Sequence, residues 1–230
     1  MQQIPFPFKL ESAYVFANFY DVTANVTAQL QDLLVSPKFL HLVGANNSGK
    51  THLLQALCYF ASNKLSSLYI PLSQYIDLSP ELLNSADDYD LVCIDDIELI
   101  KDSLEWQEKV FHLFNNLADS NKVLVFSSCD LDTKFLLPDL NSRINNLEVL
   151  LLKPLNSEDL KQAIKLHGHE RGFNLDDKVV NYMVNYLPRD LKYITKLLDK
   201  LELESLVAKR KITISMIKDC GFKAKPFKVQ

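Results

Sequence analysis

The chain has 230 residues, room for one α/β core and a small second domain. Its 47% hydrophobic and 23% charged residues are those of an ordinary globule, and a formal net charge of −4 argues against a broad phosphate-neutralising surface for direct DNA binding. No apolar stretch reaches the roughly 18 residues of a membrane span, and the opening Met1-Gln2-Gln3-Ile4-Pro5 lacks the basic and apolar regions of a secretory leader.

Residues 1–13 read as a tail in which Pro5 and Pro7 forbid helix. Over 14–154, strand-like apolar runs at 39–43, 68–72, 91–95, 123–127 and 147–152 alternate with helical patterns. That order predicts an α/β core with a five-stranded parallel sheet covered on both faces.

The first strand runs into Gly44-Ala45-Asn46-Asn47-Ser48-Gly49-Lys50-Thr51, a complete G-x-x-x-x-G-K-[ST] nucleotide loop with His52 next along. Without bulky side chains, successive backbone N–H groups can converge on a polyphosphate, and the following helix aims its positive end at the same anion. Lys50 would reach the β- and γ-phosphates, and the Thr51 hydroxyl would ligate Mg²⁺. Leu53, Leu54, Ala56, Leu57, Phe60 and Ala61 then form one face of a helix. An ordinary Gly/Asn turn is the alternative, but strand, loop and helix in succession is the context the motif requires.

The third strand ends in Asp95-Asp96. Many buried strands end in acidic turns. Downstream of a nucleotide loop, however, Asp95 would hold Mg²⁺ beside Thr51, and Asp96 would orient or deprotonate an attacking water. Trp106, Val110, Phe111, Phe114, Leu117 and Ala118 recur at helical intervals before the fourth strand. That strand closes on Ser127-Ser128-Cys129-Asp130, where Ser128 or Asp130 could touch the γ-phosphate region, or could simply be polar residues closing a strand. Arg143, taken alone, reads as a surface ion-pair residue. Cys58, Cys93, Cys129 and Cys220 show no C-x-x-C spacing, so most are expected to be buried thiols in a reducing cytoplasm.

After Pro154 the pattern turns helical, giving a small all-helical domain over 155–222 and a tail over 223–230. Asn156 or Ser157 caps the first helix and Gly172 stops it. A second helix runs over 176–187. A third carries Leu191, Ile194, Leu198, Leu201 and Leu206 along one stripe, and a short helix starts near Ser215. His167, His169 and Glu170 suggest a metal site, but residues two apart face opposite sides of a helix, and a solvated helix end is the simpler reading. The lysines from Lys209 onward read as a solvated tail. There is no internal repeat or low-complexity segment.

Taken together, the loop at 44–51, the strand at 91–97, Leu140–Ile144 (L-x-S-R-[FL]) and Leu152-Lys153-Pro154-Leu155 resemble AAA+ ATPases of the DnaA clade. Phe16 and Phe19 ahead of Asn25 resemble that clade's opening segment beside the adenine. The chain has no counterpart of DnaA's N-terminal assembly domain or its DNA-reading helix-turn-helix, and in this it is similar to the Hda family of short regulators. Gln3-Ile4-Pro5-Phe6-Pro7-Phe8 resembles the hexapeptide by which such proteins dock on the β sliding clamp, with Gln3, Ile4, Phe6 and Phe8 as contacts; the alternative is a tail packed on its own core. The resemblance implies bound ADP or ATP with Mg²⁺, a helical lid over the nucleotide, and DnaA and the DNA-loaded β sliding clamp as partners. It also allows self-assembly. Arg143 would be an arginine finger completing DnaA's hydrolytic site, with little turnover at the chain's own site. Lys192 matches the clade's lid arginine, where lysine supplies a point charge but no planar fork. A DnaA-like ATPase that loads a helicase or another replication factor is the alternative function.

Overall fold

The computed structural model describes residues 14–23, 25–75, 79–208 and 210–220. The hexapeptide residues Gln3, Ile4, Phe6 and Phe8, and the lysines Lys209, Lys223, Lys225 and Lys228, lie outside them. The chain divides into two compact units, Met1–Pro154 and Leu155–Gln230.

In the first unit a single 3₁₀ turn, Phe16–Asn18, precedes α1 (Val26–Asp32). The Asp21 carboxylate stands in for an N-cap of α1, accepting the N–H groups of Val26 at 2.7 Å and Thr27 at 3.1 Å, and so pins the segment that carries Phe19. The chain continues through β1 (Phe39–Gly44), α2 (Lys50–Ala61), β2 (Ser67–Pro71), the one-turn α3 (Leu72–Tyr75) and β3 (Leu91–Asp95). Then come α4 (Leu104–Asp119), β4 (Val123–Ser128), α5 (Pro138–Asn145) and β5 (Glu148–Leu152).

The five strands form a parallel sheet in the order β2-β3-β4-β1-β5. β1, β2, β3 and β4 are apolar because both faces of the sheet are covered there, whereas the edge strand β5 departs from the expectation, burying Leu150 and Leu152 but exposing Val149 and Leu151. On one face Ile70, Val92, Ile94 and Phe126 pack with Trp106, Val110 and Phe114 of α4; on the other, Leu40, Leu42, Cys93 and Val125 pack with Leu30 of α1 and with Leu53 and Leu57 of α2. β4 lies between β1 and β3. Because all three strands run the same way, their carboxyl ends meet at one edge, where an open α/β sheet accepts ligands.

Several boundaries differ from the sequence expectation. The second strand ends at Pro71 and Leu72 begins α3. Leu147 gives its N–H to Ile144 O, closing the turn after α5, so the last strand starts at Glu148. In α4 the buried stripe is Trp106, Val110, Leu113, Phe114 and Leu117, while Ala118 faces solvent. α2 is buried on most sides, Gln55 and Cys58 included, because it packs on the sheet and also against α1 and the N-terminal turn. Phe60, expected on its buried face, is 45% exposed.

The second unit contains α6 (Ser157–Glu170), α7 (Asp177–Tyr186), α8 (Leu191–Ala208) and α9 (Ile214–Asp219). Asn156 caps α6 in a capping box with Asp159, Asp176 caps α7 and Thr213 caps α9, devices of about 1 kcal/mol each. Gly172, at φ +78°, lets the chain reverse after α6. Ile164, Met183, Ile194, Leu198 and Leu201 form the core. Two expectations fail here. Leu206 is 68% exposed, since α8 runs on past its packing partners, and His167 is buried at 3% exposure while His169 is exposed. A solvated helix end is the sequence expectation, yet α6 buries its His167 side.

Candidate functional site

The loop between β1 and α2 has the backbone its glycines predict. Gly49 sits at φ +98°, and a Cβ there would lie 2.8 Å from Phe19 Cε2; Asn47, at φ 63°, takes the left-handed conformation that asparagine tolerates. A Cβ on Gly44 would meet Ser48 Oγ at 2.6 Å and Leu152 Cβ at 2.8 Å, so the loop closes against the end of β5 only because that position is bare. Lys50 is buried, its Nζ donating to Gly44 O at 2.7 Å and Ala45 O at 3.2 Å. The first turn of α2 has neither an acidic residue nor a side-chain cap. Ser48 Oγ is buried without a partner among the described residues. An unmatched hydroxyl, a buried cation and a helix start without a side-chain cap in one loop fit a polyanion.

Across the edge, Asp95 is 2% exposed and held from three sides. Thr51 Oγ1 and the Tyr69 hydroxyl each donate to Oδ2 at 2.7 Å, and the Ser127 hydroxyl donates to Oδ1. Ser127 Oγ also accepts the Asp96 N–H at 3.0 Å. Burial, then the adjacent Asp95 charge, pushes the Tyr69 phenol far up, so it stays a donor. Thr51 and Asp95, the expected Mg²⁺ pair, are thus already joined.

Asp96 takes the left-handed conformation at φ 61°. Burial, then the charges of Asp95 and Glu98, raise its carboxyl to about 6, with Lys50 opposing. A carboxyl poised near neutrality can exchange a proton with water. Glu98, which sequence reading passed over, accepts the Cys129 N–H at 2.9 Å through Oε1, while its Oε2 is buried without a partner among the described residues.

The end of β4 differs from expectation. Cys129 reaches the loop: its thiol donates to Asn46 Oδ1 at 2.8 Å and lies 3.7 Å from Lys50 Nζ. Burial, then Glu98, pushes this thiol up to about 11, keeping it protonated. Asp130 is exposed and its carboxylate accepts the N–H of Asp132. Ser128 donates to the Asp130 carbonyl and bonds His41 Nε2 at 2.8 Å. Among the described residues, neither of those side chains is hydrogen-bonded to the loop.

Phe19 lies edge-on to His52, with ring centroids 5.4 Å apart, and the Tyr14 ring also packs against His52, at 4.9 Å. His52 Nε2–H donates to Val15 O, and burial lowers its basicity. Phe16 instead packs edge-on against Phe60 at 5.7 Å. Arg143, on α5, is exposed; among the described residues it enters no ion pair, and its guanidinium stands 5.7 Å from the Phe114 ring centroid. Lys192 is an exposed cation at the start of α8 in the second unit.

The family described as the bacterial DnaA ATPase domain matches residues 10–148 of this chain. The chain belongs to that DnaA family. A second family, described as the lid domain of Hda, matches residues 157–220, so the DnaA-type AAA+ core is joined to an Hda-type lid. An uncharacterized protein of Haemophilus influenzae is 32% identical over 226 residues, covering 94% of this chain and 97% of its own length. Domain III of the Thermotoga maritima initiator DnaA has the same fold, with a TM-score of 0.76 at 22% identity over 95% of this chain and 100% of that one. AMPPCP-bound DnaA from Aquifex aeolicus aligns with a TM-score of 0.70 at 22% identity, over 86% of this chain and 67% of that one.

Proposed function

We propose that this DnaA-family protein is a negative regulator of replication initiation. It binds an adenine nucleotide, docks on the DNA-loaded β sliding clamp through Gln3, Ile4, Phe6 and Phe8, and promotes ATP hydrolysis on DnaA with Arg143 as a finger in trans. The observation that carries this reading is the exposed Arg143, free of any ion pair among the described residues, in a chain whose lid is of the Hda type.

At the chain's own site the loop amides, Lys50 and Thr51 would hold the phosphates, Thr51 and Asp95 a Mg²⁺, and Phe19 and His52 the base side. AMPPCP in the Aquifex aeolicus relative supports adenine nucleotide as the ligand class. A bound nucleotide supplies a compact polyanionic charge and a phosphoanhydride. Lys50 already lies beneath the loop, so its charge needs no backbone rearrangement to oppose that anion. On the partner, Arg143 would neutralise charge developing on the γ-phosphate, an effect of about 10³–10⁵ for arginine fingers.

The test is DnaA-catalysed ATP hydrolysis in the presence of DNA-loaded clamp. Wild type stimulates it, and Arg143→Ala does not, while both bind the clamp. Equal stimulation by the variant overturns the finger assignment. Deleting residues 1–8 abolishes clamp binding, and retained affinity refutes the hexapeptide proposal. One observation favours a second reading, a self-sufficient ATPase acting as a loader: Asp96 is raised to about 6, which suits a general base. Robust ATP turnover by the isolated chain, abolished by Lys50→Ala, would support it.

A further inference from the structure

We propose that Tyr69 is a positioning residue for the divalent cation: from the neighbouring strand it locks the Asp95 carboxylate in the orientation that presents the Thr51 hydroxyl oxygen to the metal. The inference rests on the reading that the loop binds nucleotide with Mg²⁺. It concerns a buried phenol that none of the roles above uses.

The geometry follows from the sheet. β2 and β3 pair in register, with Tyr69 beside Cys93 and Pro71 beside Asp95. Residues two apart on a strand share a face, so Tyr69 lies on the Asp95 face one step back along the ladder. Its ring is 5% exposed and extends along the sheet until the hydroxyl meets Asp95 Oδ2 at 2.7 Å. The same oxygen accepts from Thr51 Oγ1 at 2.7 Å. Oδ2 is therefore filled by two donors, and Oδ1 takes the Ser127 hydroxyl.

Two consequences follow from this count. The single hydroxyl hydrogen of Thr51 is committed to Asp95, so its oxygen lone pairs face away from the carboxylate. With Oδ2 saturated, Asp95 acts on the cation by holding Thr51 and through its remaining capacity at Oδ1, rather than by offering both oxygens directly. Gln55 hydrogen-bonds the Tyr69 hydroxyl in turn and is 2% exposed. Thr51 and Gln55 stand one turn apart on α2, so the helix that follows the loop grips the Tyr69–Asp95 pair at two points. Outer partners of this kind fix the orientation of metal ligands, and their removal costs about 10–100-fold in metal affinity.

The experiment measures the affinity of the full chain for a fluorescent ADP, once with Mg²⁺ and once with EDTA. In wild type Mg²⁺ tightens binding. In Tyr69→Phe, which keeps the ring and loses the hydroxyl, that Mg²⁺-dependent gain falls about tenfold, while affinity in EDTA stays within about twofold. Gln55→Leu, which leaves the Tyr69 donor but removes its support, moves the gain the same way by less, and serves if the first variant folds poorly. An unmoved Mg²⁺ gain in both variants, or an equal loss with and without Mg²⁺, overturns the proposal. Failure of wild type to bind ADP under either condition would sink the nucleotide reading and this inference with it. Normal wild-type binding with an unchanged gain in the variants sinks this inference alone.

Discussion

The carboxyl end of β3 and the exposed side of α5 each carry a charged side chain, and the two are built in opposite ways. Asp95 is buried and receives hydroxyl donors from α2, β2 and β4. Arg143 is exposed, with a single aromatic ring beneath it. A buried carboxylate without partners would cost several kcal/mol, so the fold has to complete its surroundings internally. An exposed guanidinium carries no such penalty and can wait for a partner that is not part of the chain. Under the proposed function, the self-contained charge serves to hold a ligand and the unfinished one to act on another molecule.

The largest expected effect tests the unfinished side. Arg143→Ala should remove about 10³-fold or more of the stimulation of DnaA, yet shift the chain's own stability by less than about 0.5 kcal/mol. A marked loss of stability in urea unfolding would mean that the arginine is structural and the contrast false.

The next concerns the self-contained side. His41 is 3% exposed and bonded to Ser128, and burial lowers it to about 4, with Glu98 opposing. Between about 4 and its ordinary 6.5, the unfolded chain binds a proton that the folded chain refuses. Its contribution is therefore complete above 6.5 and is lost as pH falls through that window, amounting to about 3 kcal/mol. His41→Leu should flatten the acid limb of stability measured between pH 7.5 and 4.5. An unchanged slope would show that other groups, such as the half-buried His52, control it.

Gly49→Ala combines a left-handed backbone with a contact to Phe19 at 2.8 Å. It should cost about 1–3 kcal/mol and weaken nucleotide binding, whereas Phe19→Ala in the same background should recover part of the stability. The smallest effect is expected of Cys129→Ser. A hydroxyl can still donate to Asn46, so nucleotide affinity should change by less than about threefold. A large loss would show that the thiol itself is needed beside Lys50.

Which residues meet at the edge was only partly legible. Gly44, Lys50, Thr51, Asp95 and Asp96 announce themselves because their spacing answers a local geometric demand. Tyr69 and Glu98 carry no such mark: a tyrosine in a strand usually reads as core, and an acid after a turn usually reads as solvated. Cys129 was passed over for Ser128 and Asp130 because strand alternation alone does not say where a strand ends and its loop begins to turn. His167 and Leu206 were misjudged for a related reason, since helical periodicity does not say how far along a helix its packing partners reach.

The order of residues was enough, by itself, to determine the apolar strands of the parallel sheet, the loop that follows the first of them and the helical character of the second unit, because each depends on periodicity or on the φ preferences of a few adjacent residues. Tertiary structure alone decided the strand order: β2 beside β3 brought Tyr69 to Asp95, and β4 between β1 and β3 brought Ser127 to Asp95 and Cys129 to Glu98 and to the loop. Strand order is set by the packing of both sheet faces at once, a sum over contacts between residues far apart in the chain that no local pattern encodes.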